Sequence, residues 1–247
     1  MWTLAALAGW RAAAYRLLAA LLLPPSPQRW QRLSAVAGDL RHAEDAVAAF
    51  PFFQPWRHLL QAIEEIDAAG LARLPEAYVR LFQISRDGVS LPYESCYGVP
   101  DGQGAGWVAA LLTRTYARAG LNVAPSAGES PDHVAVELEF MAHLCAREAA
   151  AWAEPAPREA LGLLAQERSF LRLHLGRWLG DFAAEVRARA AEPLYVATAT
   201  AAEALVHHDS DLVEALLDQI APLCEPGEPP AARTHEQTVE DSTPREG

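Results

Sequence analysis

Asp132, His133 and Glu137 fall together in the stretch ESPDHVAVELEFM, residues 129–141, and their types and spacing suit chemistry. A histidine followed one helical turn later by a carboxylate can share a proton with it, and an acid in the first turn complements the positive end of a helix. Wound as a helix, the stretch lines up Val134, Leu138, Met141, Leu144 and Cys145 as an apolar stripe. His133 and Glu137 then fall beside that stripe, not on the wet face. The field at the helix start disfavours a protonated imidazole, so His133 is expected neutral, able to donate and accept, with Glu137 as its partner. Two readings stand level on these residues alone. One is a polar pair held in the core, costly unless fully hydrogen-bonded; the other is the polar floor of a groove.

Other constellations carry less. DGQGAGW, residues 101–107, lacks the Lys-Ser/Thr of a phosphate-binding loop and follows a Pro-containing loop instead of a strand, which marks it as a linker. His207 and His208 are adjacent, so on a helix they point different ways, and no third metal ligand is spaced to join them; Asp209 reads as a helix cap. His174 shares a stripe with Phe170, Trp178 and Phe182 and reads as a hydrogen-bonded core histidine. There is no Gly-x-Ser-x-Gly and no His-Glu-x-x-His. A metal- or nucleotide-dependent enzyme using His133 and Glu137 therefore has no complete motif. A purely structural helical adaptor is the third candidate.

The elements that must position these residues are helical. The 247-residue chain is 51% hydrophobic and rich in Ala and Leu, with few β-branched residues. Capping and breaking residues divide it into a series of helices. The first covers about residues 2–22; Ser26 caps a second, with Pro27 at its first position. A third starts at Pro55 and stops at Gly70, and Pro75 opens a fourth containing Tyr78, Leu81 and Phe82. A Gly/Pro-rich loop leads to a helix over Trp107–Ala119 that closes on Gly120. The next begins in the opening stretch, with Ser130 as cap and Pro131 in the first turn. Pro155 and Pro157 precede a long helix to about residue 190, and two more follow, split near His207–Asp209. The expected fold is all-α: a single compact, bundle-like domain of about nine or ten helices over residues 1–224, with a disordered acidic tail over 225–247.

Charge and cysteine content exclude several classes. The net charge of −12, with arginine as the sole basic residue besides histidine, argues against nucleic acid. Cys96, Cys145 and Cys224 are far apart and odd in number, so neither a zinc ribbon nor a disulfide framework is expected; reduced thiols in the cytoplasm are. Arg11 and Arg16 interrupt the apolar N-terminal run, which reads as an amphipathic first helix and not an export signal or a membrane span.

Five motifs in order, YVRLF (78–82), LPYESCYG (91–98), GLNV (120–123), ESPDHVAVELEFM (129–141) and SFLRLHLGRWLGDF (169–182), resemble the TorD/DmsD/NarJ chaperones that mature molybdenum oxidoreductases. The resemblance spans about residues 10–220. It implies a non-enzymatic cytoplasmic chaperone that binds the N-terminal, twin-arginine-type signal of a molybdopterin oxidoreductase catalytic subunit. Such a chaperone assists cofactor insertion before export or membrane docking. It also implies a client site at Tyr78, Leu81, Phe82, Tyr93, Glu94, Ser95, Asp132, His133 and Glu137. No stably bound cofactor is implied, only transient contact with the molybdopterin cofactor, and the protein is expected as a monomer or domain-swapped dimer. Pro92 directly before Tyr93, and Ser-Pro before Asp132-His133, resemble the nitrate-reductase branch and leave the client open. On this reading the acids at Glu94, Asp132 and Glu137 face the client's arginines, and Tyr78, Phe82 and Tyr93 line a groove for its apolar segment.

Overall fold

In a computed structural model, which describes residues 3–83, 92–97, 105–121, 129–154 and 156–224, the chain folds as ten α-helices. Local signals set most starts. Thr3 Oγ1 accepts from the Ala6 N–H at 3.1 Å to open α1 (Leu4–Leu21). Ser26 Oγ accepts from Arg29 N–H at 3.2 Å to open α2 (Pro27–His42), with Pro27 in the first turn as expected. A short α3 (Glu44–Val47) precedes α4 (Phe53–Glu64).

The boundary expected at Gly70 lies earlier. Asp67 Oδ1 accepts from Gly70 N–H at 2.7 Å and caps α5 (Ala68–Tyr78), so both Gly70 and Pro75 lie inside one helix. An acidic cap outweighs a glycine, and Pro75 is absorbed within the helix instead of opening it. The chain then widens into a π-helical turn, Val79–Gln83. Helix α6 (Ala105–Arg118) ends near Gly120, whose φ of +82° is left-handed backbone that glycine adopts without strain.

The remaining helices are α7 (Val134–Ala153), α8 (Pro157–Leu173), α9 (Leu175–Arg189) and α10 (Pro193–Cys224). The long helix expected to residue 190 is therefore two, broken at His174. The pair expected after it is one, running unbroken through His207–Asp209. The expected tail and residues 101–104 of the Gly-rich linker lie outside the described residues, while the linker's last three residues, 105–107, open α6.

Helix α1 packs along α7, α7 along α8, and α10 spans α4, α8 and α9. Buried alanines on both helices, among them Ala8, Ala12 and Ala19 on α1 and Ala135 and Ala142 on α7, keep many of their inward side chains small. By length and composition α1 could cross a membrane, but 56% of its apolar window is buried against its own protein. The stripe foreseen on α7, Val134, Leu138, Met141, Leu144 and Cys145, is fully buried.

Candidate functional site

The start of α7 is fixed from outside the helix. Residues 92–97 run past it as a strap: Glu94 N–H donates to Asp132 O at 2.9 Å, and Val134 N–H donates to Pro92 O at 2.8 Å. This pairing holds His133 in extended backbone directly after the turn that contains Asp132, so α7 begins at Val134 and His133 is its cap; Ser130 and Pro131 lie before it. Ser130 Oγ instead donates to Asp132 Oδ1, and its carbonyl accepts from His133 N–H at 2.9 Å. Asp132 Oδ2 lies 3.4 Å from the Ser95 N–H, a second tie to the strap.

The predicted His133–Glu137 pair does not form. His133 Nδ1 accepts from Ala135 N–H at 3.1 Å, which places the ring proton on Nε2, and the ring meets Tyr93 edge-on at 5.2 Å. Burial pushes its pKa down to about 4, against the pull of Asp132, so the ring is neutral at physiological pH, as expected from the sequence. The Nε2–Glu129 Oε2 approach of 3.7 Å is then not an ion pair. The same capping that fixes the tautomer turns the ring away from Glu137.

Glu137 faces the other way, into a buried polar cluster. Its Oε2 accepts from Trp178 Nε1 at 3.3 Å, and it meets the carboxyl of Glu94. Burial, and next the negative charge of Glu94, raise its pKa far above the carboxylate range, so Glu137 is protonated and can donate to Glu94. Glu94 Oε2 is also 2.9 Å from His174 Nδ1. His174 is thus the buried, hydrogen-bonded residue that its apolar stripe suggested.

Tyr78, Leu81 and Phe82 lie beneath, in the core, and do not form groove walls. Their aromatic rings begin a continuous path: Tyr78 to Phe82 at 5.0 Å, Phe82 to Phe182 at 6.3 Å, Phe182 to Trp178 at 5.7 Å, and Trp178 to Tyr97 at 5.3 Å. The path ends on the strap, and Tyr78 is close enough to Glu129 and Tyr93 for both, after burial, to raise its hydroxyl pKa. Eight of the nine residues singled out from the sequence are linked by these contacts; the ninth, Leu81, is buried in the core. Glu94, Asp132, His133 and Glu137 are buried, while Tyr93 and Ser95 are half-buried.

Sequence reasoning passed over Glu129, which stands at the rim with 21% of its side chain exposed and hydrogen-bonds Tyr93. It lay in plain view at the head of the motif, without a partner to give it a role.

It also missed a second cluster. Arg11 is buried at the centre of α1, with Nε 2.6 Å from Asp209 Oδ1, Nη2 2.8 Å from Asp209 Oδ2 and Nη1 2.7 Å from Glu148 Oε2. Nη2 also reaches Glu167 Oε2 at 2.5 Å, and Tyr15 donates to Asp209 at 2.8 Å. Asp209 is thus not a cap but the fork that receives this guanidinium. Burial opposes the charge on Arg11, yet Asp209 and Glu167 hold it more firmly than usual. Glu148 and Glu167 also lie near enough to Cys145 to suggest a metal site, but Arg11 already occupies both carboxylates.

The described residues form an all-helical body whose buried polar groups converge on a strap. A family model for the nitrate reductase delta subunit matches residues 48–184. The chaperone protein TorD of Vibrio cholerae is 31% identical over 66% of this chain and 73% of its own length. The chlorate reductase assembly chaperone protein of Ideonella dechloratans is 30% identical over 54% of this chain and 68% of its own. The crystal structure of an Archaeoglobus fulgidus protein described as a redox enzyme maturation protein shares the fold, with a TM-score of 0.51 and 21% identity over 79% of this chain and 93% of that one. The chain belongs to the nitrate reductase delta-subunit (TorD/NarJ) family of redox enzyme maturation proteins. It is a maturation chaperone and not an enzyme.

Proposed function

We propose that the client is the catalytic subunit of a molybdopterin oxidoreductase, bound through its N-terminal, twin-arginine-type signal region at the strap of residues 92–97. Binding takes place in the cytoplasm and holds the subunit back while its molybdopterin cofactor is inserted, with at most transient contact between chaperone and cofactor. The relatives named as chaperones, one of them for assembly of chlorate reductase, support the client class. One observation carries the site: Glu94, Asp132 and Glu137 converge, with Glu129 at the rim, and among the described residues no arginine forms an ion pair with the first three, while Arg29 lies near enough to Glu129 to favour its charged form. A client guanidinium received at Glu129 and Tyr93 supplies the missing cation, and outward movement of the strap brings it to Asp132 and Glu94. Half-buried Tyr93 and Tyr97 on the strap, not the core rings beneath them, offer apolar contact to the helix that follows the arginines.

The test is co-purification of the full chain with candidate catalytic subunits, with and without their N-terminal segments, followed by calorimetry on the isolated segment across a salt series. Affinity should require the segment and fall as salt rises, since exposed ion pairs are screened over about 8 Å at physiological ionic strength. Binding that survives loss of the segment overturns the proposal. The burial of Asp132, His133 and Glu137 favours a second reading, in which they only brace α7. On that reading Asp132→Asn lowers stability but leaves the affinity of the folded protein unchanged.

A further inference from the structure

Helices α8 and α9 are separated by one residue, His174, whose φ of −126° and ψ of −101° belong to neither helix. The turn is nevertheless tightly tied. His174 N–H donates to Phe170 O at 2.9 Å, and Arg177 N–H donates to His174 O at 2.8 Å. Gly176 makes the junction possible, because a Cβ there would lie 2.6 Å from Leu171 O, closer than real Cβ atoms come. Leu173 meanwhile faces solvent, 57% exposed. The break therefore serves no obvious packing need on its outer side. Inside, it seats the His174 imidazole against Phe170, with ring centres 5.0 Å apart, and presents Nδ1 to Glu94 Oε2 at 2.9 Å.

Glu94 is the one strap side chain that reaches both α7, through Glu137, and the α8–α9 junction. Its own N–H is bonded to Asp132 O, so the position of Glu94 fixes the register of strap on helix start. Further polar contacts on residues 92–97 include Val134 to Pro92, Ser95 to Asp132 and Tyr93 to Glu129, while the Cys96 and Tyr97 N–H groups close back onto the strap itself. Loss of the histidine removes the hydrogen-bonded tie to the α8–α9 junction, leaving the stacking of Tyr97 on Trp178 as a contact with α9, and leaves a buried carboxylate short of a donor.

We propose that the α8–α9 junction is the latch of the strap: His174, seated by the break that Gly176 permits, is a positioning residue that holds Glu94, and through it residues 92–97, in the client-receptive arrangement. The proposal rests on the reading of the strap as the client site. It assigns a role to a residue that touches no client, and it makes the junction, not only the Asp132-His133 pair, a determinant of binding.

The experiment compares His174→Phe, which keeps a ring beside Phe170 but has no donor, with His174→Asn, which restores a donor close to the position of Nδ1. Two readouts are taken on each full-length variant: residue-resolved amide exchange at Glu94 and Val134 without client, and calorimetric affinity for the client's N-terminal peptide. His174→Phe should speed exchange at both amides roughly tenfold, the equivalent of one hydrogen bond, and weaken peptide binding by a similar factor. His174→Asn should recover most of both. Glu94→Ala removes the other partner without touching the junction, should loosen the same two amides, and serves if His174→Phe does not fold. Unchanged exchange in a folded His174→Phe or in Glu94→Ala overturns the latch whatever the affinity. Faster exchange with wild-type affinity leaves a structural tie but overturns the link to client binding.

Discussion

Helix α7 carries two buried polar clusters built in opposite ways. Toward its C-terminal half, Glu148 meets a guanidinium from α1 together with Glu167 of α8 and Asp209 of α10, so one cation binds three acids from three helices. Near its start, Glu137 meets Glu94, and among the described residues no arginine forms an ion pair with either; the acids there are accommodated by a shared proton, by His174 and Trp178, and by backbone N–H groups. The first cluster takes its cation from the chain itself and locks four helices together, although burial raises the pKa of Glu167 and its Oε1 has no hydrogen-bond partner. The second is satisfied provisionally, on a strap with few ties, and a guanidinium from outside would complete it. Burial alone does not separate a structural cluster from a binding one; the source of the cation does.

The largest effect should come from breaking the complete cluster. Arg11→Met leaves three buried carboxyl groups without their cation and should cost about 3–5 kcal/mol, as removal of one partner from a buried ion pair does. Denaturant unfolding at neutral pH measures this. A loss below about 1 kcal/mol would show that the acids neutralise themselves and that the contrast between the clusters is false.

A pH series sharpens the same point. Burial raises Glu167 from an ordinary 4.5 to about 8. The neutral acid is thus favoured in the fold, its contribution is fully present below pH 4.5, and it is lost as the pH rises from there through about 8. Glu167→Gln should flatten the decline in stability across that window. His133 has the opposite sign. Its folded pKa of about 4 lies below the ordinary 6.5, so its contribution is complete above pH 6.5 and is lost as the pH falls toward 4.

A smaller cost is expected at the cap. His133→Ala removes the acceptor for Ala135 N–H and should lower stability by about 1 kcal/mol while weakening client binding by more than that. Equal losses in stability and in the affinity of the folded fraction would assign His133 to structure. Smallest of all should be Glu137→Gln. Glu137 is already neutral, so the change should stay within about 0.5 kcal/mol at pH 7. A severe loss there would show a charged Glu137 and a cluster more like that of Arg11.

Local chemistry was readable in the sequence where it decides the outcome locally. Ser26, the close of α6 at Gly120 and the α7 stripe behave as their residue types and periodicity require, and His174 was recognisable as a satisfied core histidine. Asp67 shows how a nearby cap overrides a glycine. What the sequence could not disclose depends on distance along the chain. Asp209 resembles a cap until Arg11, 198 positions away, is brought against it. Ser130 resembles the cap of α7 until the strap pairs with residues 132–134 and moves that role to His133. The break at His174 leaves no mark on apolar periodicity, since Phe170, Trp178 and Phe182 stay buried on both sides of it. The acid-rich motif was visible as unusual, but not that its members are buried beneath a strap.

The central claim is that the second cluster takes its cation from the client. A double-mutant cycle tests it most directly, pairing Asp132→Asn in the chaperone with replacement of the signal peptide's arginines by glutamine, each of the four combinations measured by calorimetry at low salt. The account predicts a coupling of about 1 kcal/mol or more, because removing either partner already removes the interaction. Losses that add to within about 0.3 kcal/mol would contradict it, leaving an apolar site that reads the signal without its arginines.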